Sequence, residues 1–202
     1  MRLNIWFLCG MVFAGNVACA DYALHWSLPT TTSFGSTITV DLFLDETAPD
    51  TNLLNYGAAG ASYIVNLTGV GSLAAPVGNP DFDLVTPSGS GSSVSLEQTS
   101  ITGLPAPTQR LKIGTFTINR TTTGNGSLSV ALFGSGADFS VYDDLFIPQV
   151  IDGVVLPAAA FNYDFAAVPE PSSILTGLSL ACLGIWRHRG RRQKLDETDR
   201  TK

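Results

Sequence analysis

The residues that could do chemistry in this 202-residue chain are few in kind and unevenly placed. Between Asp21 and Ala167 there is one histidine, His25, and no cysteine, since Cys9, Cys19 and Cys182 lie outside that stretch. A Ser-His-Asp site would have to use His25. It sits between Leu24 and Trp26, and no Gly-x-Ser-x-Gly elbow occurs in the stretch, so His25 reads as a strand residue and no catalytic residue is assigned. Thiol catalysis, disulfides and zinc clusters are excluded by residue count. Carboxylates are plentiful: Asp41, Asp45, Glu46 and Asp50; then Asp81 and Asp83; then Asp138, Asp143, Asp144 and Asp152. None of these groups follows an Asp-x-Asp-x-Asp-Gly loop, so no metal ligand is named and they read as solvated turn residues. Calcium is the one cation their oxygen chemistry leaves open, and no other cofactor is expected. A glycosidase pair would need an aromatic-lined cleft between two carboxylates. Trp26, Phe34, Tyr56, Tyr63, Phe82, Tyr142 and Phe161 could form a sugar-stacking platform or fill a core, and large rings gain most from burial.

Charge narrows the partners. The chain is 45% apolar and 14% charged with a formal charge of −6. From Asp21 to Ala167, however, 13 acidic residues face three basic ones, Arg110, Lys112 and Arg120, for a net −10. A body so acidic is not built to neutralise phosphates, and nucleic acid is excluded as a partner.

The two ends carry addresses. Arg2, the apolar stretch Ile5 to Val17 and the close Ala18-Cys19-Ala20 have the three parts of a secretory signal peptide over residues 1–20, with Ala18 and Ala20 at the signal peptidase site. At the other end Val168-Pro169-Glu170-Pro171-Ser172-Ser173 leads into the apolar run Ile174 to Trp186, then Arg187-His188-Arg189-Gly190-Arg191-Arg192. Prolines flanking one residue hold an extended peptide that a membrane protease can accept. A helix over about 172–186 would be roughly 22 Å long at 1.5 Å per residue. That is short of a ~30 Å hydrocarbon core, a difference that snorkelling arginines or local thinning can cover. The arginines belong on the cytoplasmic side, which leaves 193–202 as a cytoplasmic polar tail and the body outside.

This tripartite tail, residues 168–192, resembles the PEP-CTERM sorting domain of Gram-negative and related bacteria. The resemblance implies recognition by an exosortase through Pro169, Glu170 and Pro171, and membrane retention by Arg187, Arg189, Arg191 and Arg192. It implies a protein anchored in the inner membrane before processing and found at the cell surface or outside the cell afterwards. The ten residues from Gln193 to Lys202 depart from that pattern, in which the chain ends soon after the basic cluster. An ordinary uncut single-span anchor would share the same hydropathy.

The body, residues 21–167, must position whatever acts. Ile38, Val40, Leu42 and Leu44 alternate with Thr39, Asp41 and Phe43; Tyr63, Val65 and Leu67 repeat the period; Leu128, Val130 and Leu132 do so after a turn at Gly124-Asn125-Gly126. Leu111 to Asn119 reads as a strand in which Gly114 places a bulge that moves the inward face onto Phe116 and Ile118. Weaker strands are Ala23 to Leu28, Val94 to Gln98, Phe139 to Tyr142 and Val150 to Leu156. The run Pro87 to Ser92 reads as a flexible loop, and no amphipathic helix is expected. About eight short strands predict an all-β fold: a single antiparallel β-sandwich with Greek-key connections, flanked by the signal helix and the transmembrane helix. The strand order, carried by Gly35-Ser36-Thr37-Ile38-Thr39-Val40-Asp41-Leu42 and Leu111-Lys112-Ile113-Gly114-Thr115-Phe116-Thr117-Ile118, resembles cohesin-like and related carbohydrate-binding sandwiches. That patterning bears on the fold more than on any partner. The function expected is that of an exported, non-catalytic surface or matrix protein. The alternative is a secreted carbohydrate-binding module, calcium-dependent or not, whose partner would be an extracellular polysaccharide.

Overall fold

The computed structural model describes residues 22–47, 51–134 and 136–168. The predicted signal peptide with Ala18 and Ala20, the Pro169-Glu170-Pro171 motif, the membrane helix and Arg187, Arg189, Arg191 and Arg192 lie outside them. Among the described residues no helix is long and apolar enough to cross a membrane.

Fourteen strands follow one another: β1 (Tyr22–Trp26), β2 (Thr30–Ser33), β3 (Thr37–Glu46), β4 (Ala58–Gly69), β5 (Ser72–Leu73), β6 (Val77–Gly78), β7 (Leu84–Ser90), β8 (Ser93–Leu104), β9 (Arg110–Asn119), β10 (Gly124–Leu132), β11 (Phe139–Tyr142), β12 (Pro148–Val150), β13 (Val155–Leu156) and β14 (Phe161–Phe165). A single helical turn, α1 (Asn52–Asn55), precedes β4. Two sheets form. The smaller runs β13-β1-β3-β9-β5, with β6 also on β9; the larger runs β12-β11-β4-β10-β14-β2, with β8 on β4 and β7 outside β8. The chain changes sheet at every step from β1 to β5 and again between β6 and β7, β8 and β9, β9 and β10, β12 and β13, and β13 and β14, so the layers are interlocked.

Period-two alternation sets the faces. Ile38, Val40, Leu42 and Leu44 of β3 are buried, as are Tyr63 and Val65 of β4. In β9 the inward face changes parity: Leu42 pairs with Gly114 but Phe43 with Lys112, leaving Ile113 as the extra residue of a bulge. Ile113 and Gly114 are both buried, and Phe116 and Ile118 continue the inward face. The bulge expected from Gly114 is present. It frees a carbonyl that the facing sheet captures: Tyr63 Oη donates to Ile113 O at 2.7 Å and Gln98 Nε2 at 2.5 Å. The Gln98 Oε1 accepts from Asn79 N at 2.7 Å, and Asn79 Nδ2 donates to Lys112 O at 3.0 Å. Every polar atom of this tie has a partner, as its burial demands.

Three expectations need correction. The sandwich is not wholly antiparallel, because β1 runs parallel to β13 and β2 parallel to β14. Parallel pairing needs a long connection, which the whole intervening domain supplies, and alternation within a strand carries no direction. Pro87 to Ser92 is not a loop: it closes the β7–β8 hairpin, with Ser90 opposite Ser93 and Gly91 at φ 92° in the two-residue turn. Gly124-Asn125-Gly126 is strand rather than turn, since Gly126 lies between Tyr163 and Gly69, where a side chain would overlap the Tyr163 ring.

Candidate functional site

The polar residues first suspected of chemistry are committed to the fold. His25 on β1 stacks on Phe43 of β3, with centroids 5.3 Å apart and planes 12° apart, and its Nδ1 lies 2.9 Å from Asp45 Oδ2. Arg110 on β9 clamps the same carboxylate through Nε at 3.0 Å and Nη2 at 3.1 Å, and its guanidinium lies over Phe43. The hydrogen bond and charge of Asp45 raise the Arg110 pKa above its ordinary value. The result is a cross-strand ladder on an outer sheet face. Among the described residues no serine or threonine hydroxyl is bonded to the His25 ring.

Most of the carboxylates differ from the solvated turn residues expected of them, while Asp81 and Asp144 are exposed in turns as expected. Glu46, which is buried, accepts from Leu53 N at 2.9 Å and Leu54 N at 3.2 Å, capping α1. Asp152 accepts from Asp138 N and Phe139 N at 2.9 and 2.5 Å, and Asp138 accepts from Gly134 N at 2.7 Å. Asp83 holds Ile101 N at 2.7 Å, and Asp41 accepts from the Thr115 hydroxyl at 2.5 Å. Asp50 is outside the described residues. Among the described residues no three His, Cys, Asp or Glu side chains converge as metal ligands, so the calcium alternative gains no site. The seven aromatics do not make a platform: Trp26, Tyr63, Phe82, Tyr142 and Phe161 are buried, Tyr56 is half-buried and Phe34 is exposed.

One exposed stretch is a continuous apolar run. Between β11 and β12 the chain turns through Asp143-Asp144-Leu145-Phe146-Ile147, and Leu145, Phe146 and Ile147 are 72%, 61% and 50% exposed. The turn is held from within. Asp143 Oδ1 accepts from Leu145 N and Ile147 N, each at 2.9 Å, and Oδ2 accepts from Gln149 Nε2 at 2.8 Å. Two further bonds, Phe146 N to Asp143 O and Asp143 N to Ile147 O, close it. The Ile147, Leu145 and Gln149 hydrogen bonds, led by Ile147, hold the Asp143 carboxyl below its ordinary pKa. Phe146 has φ 56°, the left-handed region that a bulky side chain rarely adopts. Its ring stands edge-on to Tyr56, 5.9 Å away at 77°, and tilted to Tyr142 at 6.3 Å and 48°. Tyr142 is anchored in turn, its hydroxyl proton shared between the carbonyls of Ser100 (3.1 Å) and Ile101 (2.9 Å). Gly103, at φ 79°, completes the seat, because a Cβ there would overlap the Tyr56 carbonyl oxygen.

Cohesins of known structure share this architecture. A type I cohesin, the seventh of ScaB from Pseudobacteroides cellulosolvens, aligns over 74% of this chain and 95% of its own at 12% identity, with a TM-score of 0.54. A cohesin module of a family 33 glycoside hydrolase from Clostridium perfringens aligns over 72% and 96% at 8% identity, with a TM-score of 0.50. The body has a cohesin-like fold. No protein-family model matches the chain, and no curated protein matches it in sequence.

Along this cohesin-like sandwich the register fixes where the exposed loop lies. On β4, Ala58 pairs with Val141 and Leu104, whereas Gly69 pairs with Gly126, beyond which Gly124 pairs with Phe165. β14, the last described strand, ends opposite Gly124, and just beyond it Ala166 N donates to Ser33 O at 3.0 Å. The 145–147 loop and the end of β14 are therefore at opposite ends of β4, about 35 Å apart at 3.3 Å per residue. The loop was not assigned from the sequence. Its only signal is an apolar tripeptide between two aspartates and a proline, and nothing local distinguishes that from a buried strand end.

Proposed function

We propose that the chain is an exported, non-catalytic β-sandwich binding module, held at or released from the cell surface through its C-terminal PEP-type tail. The carrying observation is the contrast within the body. His25 and most of its carboxylates are spent on strand ladders and backbone caps, while a strained loop is built to keep three apolar side chains in water. Exposed apolar groups held by dedicated hydrogen bonds favour binding over catalysis. In this proposal signal peptidase cuts after Ala20. Pro169, Glu170 and Pro171 present the tail to an exosortase, and Arg187, Arg189, Arg191 and Arg192 hold the remainder at the cytoplasmic face. A tail that continues outward from the end of β14, opposite the loop, would leave the loop pointing away from the membrane. Intact mass and C-terminal peptide mapping of the protein from membrane and culture fractions test the processing. A species that starts at Asp21 and ends near Pro171 supports it. Protein still carrying Arg187 to Lys202 and confined to membranes replaces the sorting signal with a plain anchor, and an intact N-terminus in the cytoplasm rejects export. A carbohydrate-binding module finds less support, since five of the seven aromatics are buried.

A further inference from the structure

The exposed loop has a chemical surround. Asp143 and Asp144 precede Leu145, Phe146 and Ile147 in the same turn, and Asp83 holds the backbone of Ile101, which is 79% exposed on the strand that anchors Tyr142. The described residues contain three Lys or Arg side chains, and none is in this loop: Arg110 and Lys112 lie on β9, and Arg120 directly follows it. Apolar anchors are thus bordered by acid.

Charge and ring geometry select among occupants. A second copy docking the same face about a two-fold axis would set Asp143 and Asp144 against their own counterparts, in a body of net charge −10. An anionic bilayer is disfavoured by the same carboxylates, and β14, the last described strand, ends at the other end of β4. A sugar ring needs a flat aromatic face, but Phe146 meets Tyr56 at 77° and Tyr142 at 48°. A polypeptide segment with apolar side chains and flanking cations satisfies both features.

We propose that the Asp143–Ile147 end docks a basic segment of a partner protein, with leucine-sized or aromatic anchors packing on Phe146 beside Leu145 and Ile147, and Lys or Arg facing Asp143 and Asp144. This rests on the binding-module proposal and names its partner class. The loop is pre-organised by five internal hydrogen bonds, so docking immobilises little backbone. The rigid aromatic at its apex is the expected energetic centre.

The test uses the full-length chain in non-ionic detergent, with a detergent-only blank, and three synthetic 15-residue peptides: leucine with lysine, leucine with glutamate, and serine with lysine. The leucine–lysine peptide is expected to bind, and the other two to bind at least about tenfold more weakly. Phe146→Ala should weaken it about tenfold or more, and Asp144→Asn about threefold with a shallower salt dependence. The pair Leu145→Ser with Ile147→Ser gives a second reading if Phe146→Ala alters the fold, which far-UV circular dichroism checks. Equal binding of the serine–lysine peptide, or insensitivity to both the Phe146 and the Leu145/Ile147 variants, overturns the inference as mere acidity of the body. Silence of all three peptides also overturns it, while the export and processing of the module are decided separately by the mass measurement.

Discussion

At the scale of single residues, two hydroxyl and amide groups tie the sheets together across the core. Tyr63 and Gln98 share the carbonyl that the β9 bulge releases. Removing the Tyr63 hydroxyl with Tyr63→Phe leaves Gln98 on that carbonyl, and chemical denaturation should show a loss of about 1 kcal/mol. Gln98→Leu also strands the Asn79 N–H and should cost more, about 2–3 kcal/mol. Burial raises the Tyr63 phenol well above its ordinary pKa of 10.0. Both folded and unfolded chains keep that proton below about pH 10, so this tyrosine gives no pH dependence there. Above it the unfolded phenol ionises while the folded one does not. Stability is therefore expected to fall with rising pH, and the tyrosinate absorbance of Tyr63 should appear only with unfolding. A spectrophotometric alkaline titration checks this, and Tyr63→Phe should lower the absorbance change of the unfolding step by one tyrosinate.

At the scale of elements, the Asp143 loop and the β9 bulge show what local structure each residue secures. Because hydrogen bonding lowers the Asp143 pKa in the folded loop, its stabilisation is complete above the unfolded value near 3.8 and is lost as pH falls through the lower folded value. Amide exchange at Leu145 and Ile147 should stay slow from neutrality down to about pH 4 relative to intrinsic rates, then lose protection on further acidification. Asp143→Ala should remove that protection at every pH. Gly114→Ala would drive a Cβ into the Tyr63 hydroxyl and should destabilise the bulge by about 2 kcal/mol or more in denaturant titration. The long strands were legible because one face of each is buried: the alternation over Ile38 to Leu44 and the parity change at Gly114 write directly into burial. Strand β2 was not, since Thr30–Ser33 has no apolar residue and is held by parallel pairing with β14, whereas β14 itself carries the same alternation, with Phe161, Tyr163 and Phe165 inward. Nor was the acidic residues' part as backbone caps, because the N–H groups they serve are positioned by the fold. Leu145 to Ile147 failed for the same reason: an apolar tripeptide gives no local sign that tertiary structure will leave it in water.

At the scale of the whole molecule, the cohesin-like fold places the end of β14 at one end of β4 and the apolar loop at the other. A body exported and held by its tail would display that loop to its surroundings. The described body has no cysteine, so a single thiol can report the loop's location. Leu145→Cys, at a 72% exposed position, should leave the fold intact and react readily. The measurement is labelling of intact native-host cells by a membrane-impermeant maleimide, with the parent chain as blank and lysed cells as the full-labelling reference. Labelling of Leu145→Cys on intact cells to near the lysed level, with the parent unlabelled, is the result expected of an exported module whose loop faces outward. Labelling that appears only after lysis would contradict it.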